Sequence, residues 1–215
     1  MTGAPEPQSR ASRLESVREL REVYAPPTER ALRKQIDHLD GHCRDFIARS
    51  PFMLLATAGV DGSCDVSPKG GPPGFVAVLD ERRLAVPDAP GNRRLDSFAN
   101  ILENPHAGLL FLIPGLGETL RVNGRCELST DAELRERFTG DRAAPPTALV
   151  VEVDEAYVHC AKALIRSQLW SPESWAPRDE LPSAAEMLRD HRRDDCSLAQ
   201  EEAALRDSYT HRLHW

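Results

Sequence analysis

Two successive arginines, Arg93 and Arg94, stand directly before Leu95, Phe98, Ile101 and Leu102, which recur at helical spacing. Asn92 is a suitable N-cap and Asn104-Pro105 a suitable stop, so the pattern predicts a helix whose first turn carries both guanidinium groups. Cations there oppose the helix dipole by roughly 0.3–1 kcal/mol each, a cost that a bound anion would reverse. Free backbone N–H groups and two guanidinium groups together make a phosphate site; on local grounds alone, two solvated surface arginines are the competing reading. A second cationic pair, Lys162 and Arg166, has i,i+4 spacing. Like charges so placed repel until an anion or salt screens them. Just beyond, Trp170 and Trp175 offer faces for stacking on a ring system or for packing at an interface.

Other reactive residue types promise less. His159 and Cys160 are adjacent, and neighbours on a strand point to opposite faces, so they make no nucleophile and base pair. The five cysteines, Cys43, Cys64, Cys126, Cys160 and Cys196, are dispersed and odd in number, with no C-x-x-C spacing. That argues against a disulfide framework and a zinc site, and reads them mostly as small buried fillers. No side chain stands out as a catalytic acid or base.

The elements that must position these residues are short strands. Phe52 to Ala58 is an apolar run ended by the turn residues Gly59-Val60-Asp61-Gly62, which predicts a hairpin. Its return strand, Cys64 to Lys69, contains Pro68, and a proline there indicates an edge, a bulge or a backbone exposed to a ligand. Gly70 to Gly74 breaks regular structure, and Phe75–Leu79 and Leu84–Val86 form two further strands around Asp80-Glu81. Ala107 to Ile113 is apolar throughout, as in a strand buried on both faces. Thr119 to Leu128 alternates, with Leu120, Val122, Cys126 and Leu128 inward and Thr119, Arg121, Asn123, Arg125 and Glu127 outward or toward a neighbouring chain. A short helix from Asp131 to Phe138 and a strand from Ala148 to Val153 follow.

This density of strands around one helix predicts a mainly β fold with flanking helices, closed as a small barrel. The flanking helices run from Leu14 to Tyr24, from a Thr28 cap through Leu39, and from an Asp40 cap to Phe46. Others start at Ser183 and at Leu198. The expected organisation is a disordered tail over 1–12, N-terminal helices over 13–51, the barrel over 52–170 and a C-terminal helical extension over 171–215.

At 215 residues the chain suits one generous domain. With 34 acidic against 27 basic residues and a net charge of -7, it has no global attraction for nucleic acid or an anionic membrane. No apolar run is long enough to span a bilayer, and the start lacks a basic-then-apolar leader, so the cytoplasm is expected.

The segments SPFMLLAT, DGSCDVSPKGG, GFVAVLDERRLAVPD, GNRRLDSFANILENPHAGLLFLIPG and LRVNGRCELS, in that order, resemble the pyridoxamine 5'-phosphate oxidase-like, FMN-binding split-barrel family. The likeness runs from about Leu20 to about His191 and includes the H-C-x-K-A-x-x-R-S pattern from His159 to Ser167. It implies an FMN-dependent oxidoreductase acting on an unidentified small molecule, a homodimer with FMN at its interface. By the same resemblance the FMN phosphate would meet Arg93 and Arg94 with Lys69, Ser67, Arg166 and Ser167, and the ring would lie along the backbone of Val66, Ser67 and Pro68. Relatives of this fold also hold a deazaflavin or haem, and a non-catalytic flavin-binding dimer is the remaining alternative. The second strand departs from the oxidase's arginine-to-lysine phosphate motif: Asp65-Val66-Ser67-Pro68-Lys69 keeps one cation and puts an acid in place of another.

Overall fold

The computed structural model describes residues 13–140, 143–193 and 195–213, which leaves the expected tail over 1–12 outside the described residues. The chain divides into two compact units, one up to Gln35 and one from Ile36 onward. In the first, α1 (Val17–Val23) is capped by Ser16, whose hydroxyl accepts from the Glu19 N–H, and α2 (Glu29–Arg33) by Thr28 in the same manner. Neither helix has a buried residue. The predicted continuation of α2 through Leu39 does not occur. Ile36 instead forms an antiparallel bridge with Ala156, exchanging N–H···O bonds of 3.0 and 2.7 Å.

The second unit is built on a seven-stranded antiparallel sheet in the order β2-β1-β5-β6-β7-β4-β3. The strands are β1 (Phe52–Ala58), β2 (Cys64–Gly70), β3 (Ala77–Val78), β4 (Arg83–Pro87), β5 (His106–Leu112), β6 (Thr119–Ser129) and β7 (Ala148–His159). No ladder joins β2 to β3, so the barrel is split rather than closed. Its inner face is the alternate residues of successive strands: Met53 and Leu55, Leu109 and Phe111, Leu120 and Val122, Val151 and Val153, Leu84 and Val86. Two helices complete this core. α3 (Gly41–Arg49) starts at Asp40, whose Oδ1 accepts from the Cys43 N–H at 2.8 Å, and buries Cys43 and Ile47; α4 (Asp96–Glu103) buries Ser97, Phe98 and Ile101.

Three expectations are corrected here. β5 is buried on one face only, because its other face, from Gly108 to Leu112, lies on the half-exposed outside of the sheet. Thr119 is buried although it alternates outward; after β7 the chain returns to the β5–β6 turn, where Ala161 lies against Gly117. β7 runs six residues past Val153 to His159. A bulge hides this continuation: Asn123 pairs with Glu155 and Gly124 with Val153, leaving Asp154 as the extra residue. Gly124 is required at that point, since a Cβ there would lie 2.0 Å from the Glu152 carbonyl oxygen.

The short α5 (Ala132–Glu136) lies between β6 and β7, and beyond the last strand come α6 (Lys162–Ser167), α7 (Ala184–Arg192) and α8 (Leu198–His211). Ser183 caps α7, as its position predicts, and a reciprocal Ser197–Gln200 capping box opens α8. Among the described residues no helix is long and apolar enough to cross a membrane.

Candidate functional site

The predicted site residues fall into two groups. The first surrounds β2 and the start of α4. Pro68 lies on an edge strand, where its missing N–H costs no ladder bond. Gly59 donates to Ser63 at 2.8 Å and Gly71 to Pro51 at 3.0 Å. Antiparallel alternation between those two bonds turns the backbone groups of Asp65, Ser67 and Lys69 toward β1. The backbone groups of Cys64, Val66, Pro68 and Gly70 therefore face the open edge. Between Cys64 and Gly70 the edge thus offers a single N–H donor, that of Val66, beside the carbonyls of Val66 and Pro68.

Side chains of β2 alternate the other way, with Asp65, Ser67 and Lys69 half-buried toward α4 and Val66 and Pro68 exposed. Ser97 donates its hydroxyl to Asp65 Oδ2 at 2.5 Å, and Lys69 Nζ stands 5.4 Å from the centre of the Phe98 ring. α4 is pinned along β1 by Asn100, which donates to Thr57 Oγ1 at 3.1 Å, and by Asn104, which donates to the Ala58 carbonyl at 2.9 Å. Lys69 also acts on Asp88 at the end of β4. Burial pushes the Asp88 carboxyl above its ordinary value, and the lysine charge pulls it back.

Arg93 and Arg94 stand in the approach to α4 and not in its first turn. Leu95 is the N-cap, and both Arg93 and Leu95 have φ of 59°, the left-handed region that non-glycine residues rarely occupy. The reason lies in Asn92: its side-chain oxygen accepts from the Arg94 N–H at 3.0 Å, an Asx turn that takes the place of a helix cap and starts the helix later. Left-handed non-glycine residues gather at functional segments, because surrounding structure must hold them there at a cost of order 1–3 kcal/mol. Arg94 is paired with Asp96 (Nε–Oδ2 2.7 Å), and this partner, with a further pull from Asp65, raises its pKa. Arg93 is exposed and makes no ion pair among the described residues.

Asp88, Asp96 and Ser97 were not foreseen as members of this cluster. Asp96 and Ser97 carry a faint sequence signal, since acidic and hydroxyl residues favour a helix's first turn. The donor set fits a phosphate: Arg93 without an ion-pair partner among the described residues, Lys69 half-buried, and the N–H groups of Asp96, Ser97 and Phe98, which have no carbonyl one turn back within the helix. Asp65 is occupied by Ser97, and Arg94 would exchange Asp96 for the anion.

The second group follows β7. Arg166 and Ser167 close α6, where the Ser167 hydroxyl donates to the Leu164 carbonyl at 3.1 Å. Trp170 donates its indole N–H to the Leu116 carbonyl at 2.8 Å, and Trp175 does so to Leu169 at 3.1 Å. β7, which this group follows, stands four strands away from β2 in the sheet. Of the five free cysteines only Cys43 and Cys126 are buried, which corrects the reading of them as mostly fillers. Burial pushes the Cys43 thiol up to about 11 and the Cys126 thiol to about 12, aided by Asp40 and Asp154 respectively. Among the described residues no group of His, Cys, Asp and Glu could hold a metal ion.

The family model for pyridoxamine 5'-phosphate oxidase matches residues 39–160, more than half of the chain. The chain belongs to the pyridoxamine 5'-phosphate oxidase family. The match spans β1 to β7, and with them Lys69, Arg93 and Arg94, while α6 and Trp170 follow it. No curated protein matches this family member. Among solved structures it is similar to a putative pyridoxamine 5'-phosphate oxidase from Lactobacillus delbrueckii, at 19% identity over 57% of this chain and 95% of that one, TM-score 0.45. HupZ of Group A Streptococcus is similar at 16% identity over 54% and 90%, TM-score 0.45. HutZ, the haem storage protein from Vibrio cholerae, is similar at 15% identity over 57% and 94%, TM-score 0.39.

Proposed function

We propose that this family member is an FMN-dependent oxidoreductase that acts on a small molecule as a homodimer. The observation that supports the reading is the placing of Lys69 of β2 beside Phe98 of α4, the helix that Arg93 and Arg94 directly precede, on an edge strand with unpaired backbone groups. Arg93 and Arg94, with Lys69 and Ser67, would hold the phosphate through charge-assisted bonds. The Val66 N–H and the carbonyls of Val66 and Pro68 would face the polar edge of the ring. Once bound, the flavin supplies the electron transfer, and the protein contributes position, charge and exclusion of water. No side-chain acid or base is assigned. Arg166, Ser167 and Trp170 would complete the site from a second copy, which is how two groups apart in one chain become one site.

An absorption spectrum of the purified protein, with mass identification of whatever travels with it, tests the reading. FMN, recognised by its blue and near-ultraviolet bands and its mass, is the expected result, together with reoxidation of the reduced protein by an acceptor faster than free FMN. A Soret band would replace the assignment with haem, and a deazaflavin mass with that cofactor. FMN that reoxidises no faster than in solution would leave a flavin-binding dimer without catalysis.

A further inference from the structure

A shallow depression of about 390 Å³ lies on the outside of the sheet, across β1, β5 and β6, and the cluster above does not use it. The register sets Ala56, Gly108 and Asn123 in one row across these strands, so the floor is Ala56 and Gly108 and one wall is Asn123. Asn104, His106 and Asp154 complete the rim. Two inter-strand spacings, about 9.6 Å, separate β1 from β6, which leaves room for one six-membered ring lying on small residues.

The hydrogen bonds already made decide what the rim can still offer. The Asn123 amide nitrogen donates to Glu155, which leaves Oδ1 to accept, and that oxygen overhangs the floor: a Cβ at Gly108 would lie 3.0 Å from it. Asn104 donates its amide nitrogen to the Ala58 carbonyl at 2.9 Å, so the atom facing His106 Nδ1 at 3.1 Å is its Oδ1, and Nδ1 must carry the ring proton. In the neutral imidazole Nε2 is then an acceptor. Asp154, the extra residue of the β7 bulge, is exposed and makes no hydrogen bond or ion pair among the described residues. Three acceptors, one of them a full negative charge, thus surround a flat apolar floor. The cations of this face stand elsewhere: Arg121 donates to Tyr157 Oη at 2.5 Å, and neither it nor Arg125, opposite His106 in the register, lines the depression.

We infer that this depression binds a small planar cation rich in N–H donors, of the amidine or guanidine class, with Asp154 as its counter-charge. The flat body of such a ligand rests on Ala56 and Gly108, and its N–H groups meet the acceptors of the rim. An anion of the same shape finds no free donor on the rim side chains and a like charge at Asp154, so it is rejected. Such a ligand needs no flavin beside it.

Calorimetric titration of the full chain at pH 8 and low ionic strength with benzamidine, its neutral isostere benzamide and the anion benzoate tests the inference. Benzamidine should bind at least about threefold more tightly than benzamide, the worth of an exposed charge pair, and benzoate should not bind detectably. Asp154→Asn should bring benzamidine down to the affinity of benzamide while the melting temperature stays unchanged. Gly108→Ala, which raises the floor, should weaken benzamidine and benzamide alike and gives a second reading should the first variant fold poorly. Equal binding of benzamidine and benzamide overturns the inference, as does a preference that survives Asp154→Asn. A depression covered by a second copy would take none of the three probes, which overturns it too.

Discussion

Replacing Arg93 with alanine should weaken FMN binding more than replacing Arg94, although the two are neighbours of the same charge. Arg93 has no ion pair among the described residues to give up, so its contribution to a bound phosphate is the whole of a charge-assisted bond, about 1.5–3 kcal/mol, or about 10- to 150-fold in affinity. Arg94 already holds Asp96 at 2.7 Å, on a side chain 72% exposed. Such a solvated surface pair is weak, and exchanging it for the phosphate gives up part of what the phosphate contact gains at this position. It follows that Asp96→Asn, which removes the competitor and one negative charge, should tighten binding by up to about fivefold, that is, by up to about 1 kcal/mol. The assay is quenching of FMN fluorescence on titration with flavin-free protein at low ionic strength, repeated in higher salt, where the differences should shrink with the Debye length. An Arg93→Ala affinity within twofold of the parent, or a larger loss from Arg94 than from Arg93, would refute this account of the cluster.

Other perturbations test the frame. Gly124→Ala should destabilise the protein by at least about 3 kcal/mol in urea unfolding, because its Cβ meets main chain at 2.0 Å. Gly108→Ala, which meets only the tip of Asn123, should cost less than about 1 kcal/mol. Hydrogen bonds from His38 and Arg82, with the Arg82 charge, hold the Asp37 carboxyl at about 2, below its ordinary 3.8. The stabilisation is therefore complete above about 4 and lost as the pH falls through about 2, so melting temperatures of parent and Asp37→Asn should differ at neutral pH and converge in acid. A thiol reagent at pH 8 should modify the exposed Cys64 and Cys160 quickly and reach Cys43 and Cys126 only after unfolding; equal rates for Cys126 and Cys160 would contradict the burial described.

Much of the frame was legible because local chemistry and tertiary packing agree. The Asp61 and glycine turn, Pro68 on an edge, Asp40 opening α3 and Asn104-Pro105 closing α4 each follow from a backbone requirement met within a few residues. Misreadings arose where distant structure decided the matter. Asn92 serves a turn as readily as a cap, and only the structure shows that here it turns the chain, with Arg93 and Leu95 in the left-handed region, before α4 starts. The far half of β7 is disguised by Asp154 and Glu155, whose acidity reads as a loop until the bulge is seen to let one pass unpaired. Of the site, the cations were visible as residue types. Asp65 was visible as an acid beside them, but its bond to Ser97 and the approach of Asp88 to Lys69 were not, because both arise only through the folding of the sheet. The outward listing of Arg121 and Asn123 was correct, but their partners on β7 lay in the unread half of that strand.

The proline on β2 has a meaning for the molecule's company as well as for its chemistry. An exposed sheet margin invites strands of other molecules, and repeated addition builds fibres. Here a visiting strand would find an acceptor at Pro68 with no donor beside it, so the zipper is broken midway along the strand. A small guest needs only the stretch beside Val66. The margin can thus stay uncovered for a ligand while being closed to polymerisation.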